Sequence, residues 1–173
     1  MIELLILYVL SEREMTMYAV LKAILDNFAA FSQPSFGAIK PALNRLEKEG
    51  VIRSRKAISE GGKLSGYYSV TSEGREKLTQ LLLEKLSDNP LQFASNARIK
   101  LCCASYLAKD ERKILFSLIK NKAFEHKHSA EKILANDYNS LNFYQRIILD
   151  NSIVEYNNLI SLIESLDKEN NKV

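Results

Sequence analysis

Lys40, Asn44, Arg45 and Lys48 recur at short intervals in "PSFGAIKPALNRLEKEG", residues 34–50. At the helical advance of about 100° per residue, these side chains stand off the face made by Ile39, Leu43 and Leu46. Lysine and arginine neutralise backbone phosphates, and asparagine and lysine also donate to base edges in a major groove. Over residues 35–66, Lys40, Arg45, Lys48, Arg53, Arg55, Lys56 and Lys63 stand against Glu47, Glu49 and Glu60, a local excess of four positive charges. The whole chain carries only +3. A basic run is most often a solvated helix face, so the surrounding elements decide what this one means.

Other chemistry-bearing residues are sparse. His126 and His128 are two residues apart, which on a helix points them about 200° apart and away from a shared ion. His126 instead falls on a seam with Ala123 and Ala130, where one polar residue can set helix register. Cys102 and Cys103 are the only thiols. As helical neighbours they diverge, and they read as small packing residues in a reduced compartment. No nucleophile–base arrangement, paired carboxylates or phosphate-cradling glycine loop is present, so neither an enzyme, a metal nor a cofactor is expected. No apolar run reaches the ~20 residues that span a bilayer, and a cytoplasmic location is expected.

The elements that must position the basic residues follow from periodicity and punctuation. Ile2, Leu5, Ile6 and Val9 mark a first helix, and "SEREM" breaks it. Thr16 caps a second helix with Met17, Val20, Leu21, Ile24 and Phe28 inward. Ser35 caps a third, which Gly50 ends. "VIRSRKAI" and "LSGYYSVT" read as two strands joined by "SEGGK", and Thr71 or Ser72 caps a fourth helix. Three helices, a hairpin and a helix make a winged helix-turn-helix over residues 1–87, with the third helix as reader and the hairpin as wing. Pro41 lies about six residues into the reading helix, where proline costs about 3 kcal/mol. A bent first turn that aims Ser35, Phe36 and Lys40, or a tight turn with no part in reading, would each accommodate it.

All six glycines and two of the three prolines lie in residues 1–74, so residues 88–173 read as nearly all helix. Ile99, Cys102, Cys103 and Tyr106 mark one helix. A second, near 110–136, carries Ile119, Ala123, His126, Ala130 and Ile133. A third, near 141–167, carries Leu149, Ile153, Tyr156, Ile160 and Ile163. These spacings make narrow seams for a facing helix. An antiparallel hairpin alone leaves apolar surface wet, and a second copy covering it predicts a coiled-coil-like dimerisation domain. The fold class expected is mainly α, a winged helix-turn-helix with a two-stranded wing followed by that helical domain.

The segment from Pro34 to Gly50 resembles the reading helix of the PadR family of bacterial transcriptional regulators. It matches at Pro34, Ser35, Gly37, Ile39, Pro41, Leu43, Arg45, Leu46, Glu47, Glu49 and Gly50. "YYSVTSEGREKL", with Tyr68, Thr71 and Gly74, resembles the family's second wing strand and following helix. "MTMYAVLKAI", with Tyr18, resembles its second helix. Lys40 replaces a usual tyrosine, Met17 a common glycine and Gly66 a frequent basic residue, which points to an altered operator preference. The resemblance implies a homodimeric regulator, more often a repressor, on a pseudo-palindromic double-stranded DNA operator. It also implies a possible small-molecule effector, phenolic or another aromatic or cationic compound, that alters half-site spacing. The DNA contacts expected are Thr16, Tyr18, Ser35, Phe36, Gly37, Lys40, Asn44, Arg45 and Lys63. A protein-interaction adaptor without a specific DNA target is the alternative.

Overall fold

The computed structural model describes residues 1–58, 62, 64–136 and 140–172. Two compact units are present, Met1–Glu84 with Ala94–Tyr106, and Lys85–Phe93 with Leu107–Val173. The first unit is built around α1 (Ile2–Glu12), which buries Leu4, Leu5, Ile6, Leu7, Val9 and Leu10. A helix apolar on nearly every side belongs in a core, and α1 packs against α2 (Met17–Phe28), α3 (Phe36–Lys48) and α4 (Ser72–Leu83). Thr16 caps α2 by accepting from the Ala19 N–H at 3.3 Å.

The sheet has a strand that the periodicity does not announce. β1 (Met15–Thr16) joins β2 (Ile52–Ile58) and β3 (Leu64–Val70) in the antiparallel order β1-β3-β2. Met15 faces Tyr68 and Thr16 faces Tyr67. Two residues are too few to show alternation, so "SEREM" reads only as a helix break. The hairpin register runs from Ile52↔Val70 to Ile58↔Leu64. Of the expected hairpin tip, only Gly62 lies within the described residues.

The end of α3, the start of β2 and the start of α4 meet at one point. Gly50 has a φ of +74°, the left-handed conformation that suits glycine at a helix end. It lets the Gly50 N–H donate to the Glu47 carbonyl and the Val51 N–H to the Leu46 carbonyl. The Thr71 hydroxyl donates to the Gly50 carbonyl at 2.9 Å and accepts the Gly74 N–H at 3.1 Å. The Thr71 N–H donates to the Val51 carbonyl. A Cβ on Gly74 would overlap that carbonyl oxygen and lie 2.7 Å from Val70 Cγ2.

α5 (Pro90–Cys102) starts with Asn89 Oδ1 accepting the Leu91 and Gln92 N–H groups. It ends earlier than the Ile99–Tyr106 spacing predicts. Cys103 bonds to both the Ile99 and Lys100 carbonyls, and Ala104–Tyr106 form a tight 3-10 turn. Cys103 is buried, which pushes its thiol up to about 12, and Cys102 is exposed. Buried Lys100 donates to the Glu84 carbonyl at 2.6 Å, beyond the last turn of α4. Burial lowers its ammonium to about 8.

In the second unit, α6 (Lys109–Ala135) and α7 (Phe143–Lys172) form an antiparallel pair, with Arg112 on Asn170, Lys120 on Glu164 and His126 on Tyr156. Among the described residues no helix is long and apolar enough to cross a membrane.

The Gly74 contact generates a test. Gly74→Ala is expected to destabilise the protein by about 1–3 kcal/mol, the usual range for overpacking. Gly66→Ala, where an added Cβ meets nothing within 4 Å, should be close to neutral. Urea denaturation of the two variants measures the difference.

Candidate nucleic-acid interface

α3 buries Ile39, Ala42, Leu43 and Leu46 and presents the opposite half of its surface to solvent. That outer half carries Phe36, Gly37, Lys40, Pro41, Asn44, Arg45, Glu47 and Lys48. The helix is continuous through Pro41. Ser35 occupies the N-cap position, but its hydroxyl makes no cap bond; its carbonyl accepts the Ala38 N–H, and the Phe36 and Gly37 N–H groups are left open.

The basic residues divide into two groups. Arg45 Nε donates to Glu3 Oε1 at 3.1 Å, at the start of α1. Arg55 is held by both oxygens of Glu14 and lies 5.5 Å from the Tyr67 ring centroid. The guanidinium holds the Glu14 carboxyl below its ordinary value. Lys77 pairs with Glu49 and reaches Glu3 at 3.9 Å. Among the described residues, Lys40, Asn44, Lys48 and Lys56 are exposed and make no side-chain hydrogen bond or ion pair. Arg53 donates to the Ser69 hydroxyl at 3.2 Å, and its charge helps lower the Glu14 carboxyl. Glu47, the acidic residue amid the free lysines, accepts a hydrogen bond from Ser54 on β2. Within the basic segment, the positive charge left to solvent is therefore that of Lys40 and Lys48 on α3 and of Arg53 and Lys56 on the neighbouring strand.

The expected contact residues are distributed as follows. Ser35, Phe36, Gly37 and Lys40 are exposed at the cap and first half of α3, and Asn44 is exposed in its second half. Tyr18, on the first turn of α2, stacks on Phe36 with centroids 6.0 Å apart and planes 25° apart. Thr16 is half-buried as a cap and a β1 residue. Arg45 is turned to Glu3, and Lys63 lies outside the described residues. Sequence reasoning did not pair Tyr18 with Phe36, because contact between two first turns depends on how the helices pack.

The model of the transcriptional regulator PadR-like family matches residues 6–80. A PadR-like transcriptional regulator from Bacillus cereus is 32% identical, the match covering 45% of this chain and 74% of that one, with a TM-score of 0.41. Over residues 6–80 this chain belongs to the PadR-like family of transcriptional regulators. Bacillus subtilis PadR in complex with operator DNA is 22% identical over 96% of both chains, with a TM-score of 0.47. In complex with p-coumaric acid, that protein matches at 21% identity over 98% of this chain and 97% of its own, with a TM-score of 0.37. No curated protein sequence matches the chain.

Beyond the stretch matched to the family, the seam residues on α6 and α7 pack largely within the chain. Ile119, Ala123, Ala130, Ile160 and Ile163 are buried in the hairpin itself. Leu149, Ile153 and Tyr156 are half-buried, and Ile133 is exposed. A second apolar row runs along the outer side of α7, with Phe143 70%, Tyr144 77% and Ile148 65% exposed, continued by Ile147, Val154 and Leu162. The first seam faces the other helix of the same hairpin, with His126 on Tyr156 across it.

His126 sits between the rings of Phe93 at 4.9 Å and Tyr156 at 5.8 Å. Its Nε2 is buried without a hydrogen-bond partner. His128 is exposed and faces Glu131 at 3.8 Å. Among the described residues no group of three metal-ligating side chains comes together. An unpaired buried polar atom costs about 1–3 kcal/mol. His126→Phe, which removes it and keeps a ring between Phe93 and Tyr156, is expected to raise the thermal midpoint, as differential scanning calorimetry would show.

Proposed function

We propose that this PadR-like regulator is a sequence-specific repressor that binds a pseudo-palindromic operator as a homodimer. Residues 1–87 would form the DNA-binding part and residues 88–173 the dimerising part. The observation that carries the reading is the unpaired row of Lys40, Asn44 and Lys48 on the outer half of α3. Lysines left without carboxylate partners repel one another modestly in the free protein and gain phosphate or base-edge partners on DNA. Ser35 leaves the first turn of α3 uncapped, and open helix N–H groups suit a phosphate. Ser35, Gly37, Lys40 and Asn44 are the proposed groove contacts. Thr16 supports them through α2, and Lys63 and Arg53 would lie on flanking phosphates. Arg45 would join by exchanging Glu3 for a phosphate, since an exposed pair of this kind is worth at most about 1 kcal/mol.

The second copy is proposed to cover the outer row of α7, while Ile119, Ala123, His126, Ala130, Ile133, Leu149, Ile153, Tyr156, Ile160 and Ile163 shape the hairpin beneath it. An exposed apolar row of this length, interrupted by only a few polar residues, suits an association surface. Two-fold symmetry would then present two reading helices to two half-sites. A small-molecule effector that favours a different spacing of those helices would release the operator, as Bacillus subtilis PadR, seen with both operator DNA and p-coumaric acid, invites one to test.

Fluorescence anisotropy with DNA from upstream of the protein's own gene, against a scrambled duplex, tests the DNA reading. A preference of about 10³-fold or more is expected, and Lys40→Ala should lower the salt slope by about one if it contacts a phosphate. Equal binding to both duplexes, and to duplexes drawn from the rest of the genome, would favour an adaptor. The dimer is tested by sedimentation of Tyr144→Glu/Ile148→Glu. The double variant is expected to run as a monomer and to lose operator affinity by about a hundredfold or more.

A further inference from the structure

The Tyr18–Phe36 pair is unusual for a soluble surface, because both rings are large, exposed and in contact with each other. Tyr18 is 66% exposed and Phe36 43% exposed, each in the first turn of a helix that buries its main apolar face. The apolar residues that follow on the same two helices, Val20, Leu21, Ile39 and Leu43, are buried, so the two rings stand apart from that core. The stack adjoins Gly37 and Lys40 on the outer half of α3.

We infer that Phe36, braced by Tyr18, reads the 5-methyl group of a thymine in each operator half-site. The inference rests on the DNA-reading function proposed above. Phe36 is the first residue of α3, and reading helices meet base edges with their N-terminal residues. A phenyl ring neither donates nor accepts, so covering the acceptors and amino groups of base edges would only desolvate them. In the major groove the thymine methyl is the apolar exception. Bracing matters because an unsupported exposed ring must give up its rotamer freedom on binding. A ring already stacked at 6.0 Å has given up much of it beforehand. The lysines beside the pair meet phosphates or acceptor atoms on base edges, and the ring supplies a preference for thymine that no charge on this surface offers.

The test begins with a duplex selected from random sequence by the full-length protein, after which each thymine is replaced in turn by uracil, which removes only the methyl. One thymine per half-site is expected to show a loss of about fourfold, the equivalent of one buried methyl group. Phe36→Ala should bind the thymine and uracil versions of that position equally and keep its salt slope. Because the change is made in the DNA, the wild-type result does not depend on how any variant folds. Uracil tolerated at every position, or a uracil penalty that persists in Phe36→Ala, overturns the inference while leaving the regulator intact. Failure to select any preferred duplex overturns the regulator reading and this inference with it.

Discussion

The first unit depends on one crowded junction, the approach of Gly74 to the carbonyl of Val51. α4 can start where it does only because residue 74 has no side chain to meet that oxygen. The same carbonyl accepts the Thr71 N–H, and the carbonyl before it accepts the Thr71 hydroxyl. Strand pairing then begins at once, with Ile52 opposite Val70. The exit of the reading helix, the base of the wing and the first turn of α4 are thereby fixed within a few residues of one another. Backbone groups set this geometry, so it survives changes in the exposed side chains of α3 and β2. A reading surface placed on such a frame is free to vary in what it reads.

Most of the frame was legible in the sequence, because its determinants are local. A threonine before an apolar periodic run, a glycine after one and a change of period from helix to strand each act over a few residues. Thr16, Gly50 and Thr71 show this directly. Ser35 is a partial exception. It occupies the cap position, yet its hydroxyl leaves the cap bond unmade, and residue type alone does not reveal that. β1 was hidden for a different reason. Its two residues are strand because β3 lies beside them, and pairing between residues some fifty positions apart leaves no local pattern. The early end of α5 belongs with it, since the apolar spacing through Tyr106 continues across a turn that is no longer α-helical.

The helical hairpin shows what periodicity measures and what it leaves open. Ile119, Ala123 and Ala130 repeat as a seam should, and they are buried as a seam should be. Spacing reports that a helix lies opposite but carries no label for the chain that owns it. The second row on α7 is harder to see, because Asn151, Glu155 and Asn158 intervene between its apolar members. Only when the inward side of α7 is assigned to α6 does the outer row stand out as unpartnered.

The same distinction applies to charge. A local excess of four basic residues overstates what faces solvent unneutralised, because Arg45 and Arg55 are spent on Glu3 and Glu14. What remains is smaller but better placed. Pro41 and Gly37 fit the same logic. The ring of Pro41 is exposed, and its missing N–H leaves the Gly37 carbonyl without its usual helical donor. Gly37 has no positive φ, and an added Cβ would meet only Ser35 Oγ at 3.6 Å, an ordinary contact. Neither residue is demanded by the chain's own packing, and proline in a helix interior is costly. Their shared effect is low relief: one turn apart on the outer half of α3, they leave a shallow strip between Phe36 and Lys40 on one side and Arg45 on the other. A helix that is to lie close against a groove wall needs little that stands up where it comes closest, and Gly37 and Pro41 leave the first half of α3 in that form, with Asn44 and Lys48 rising on the same row beyond them.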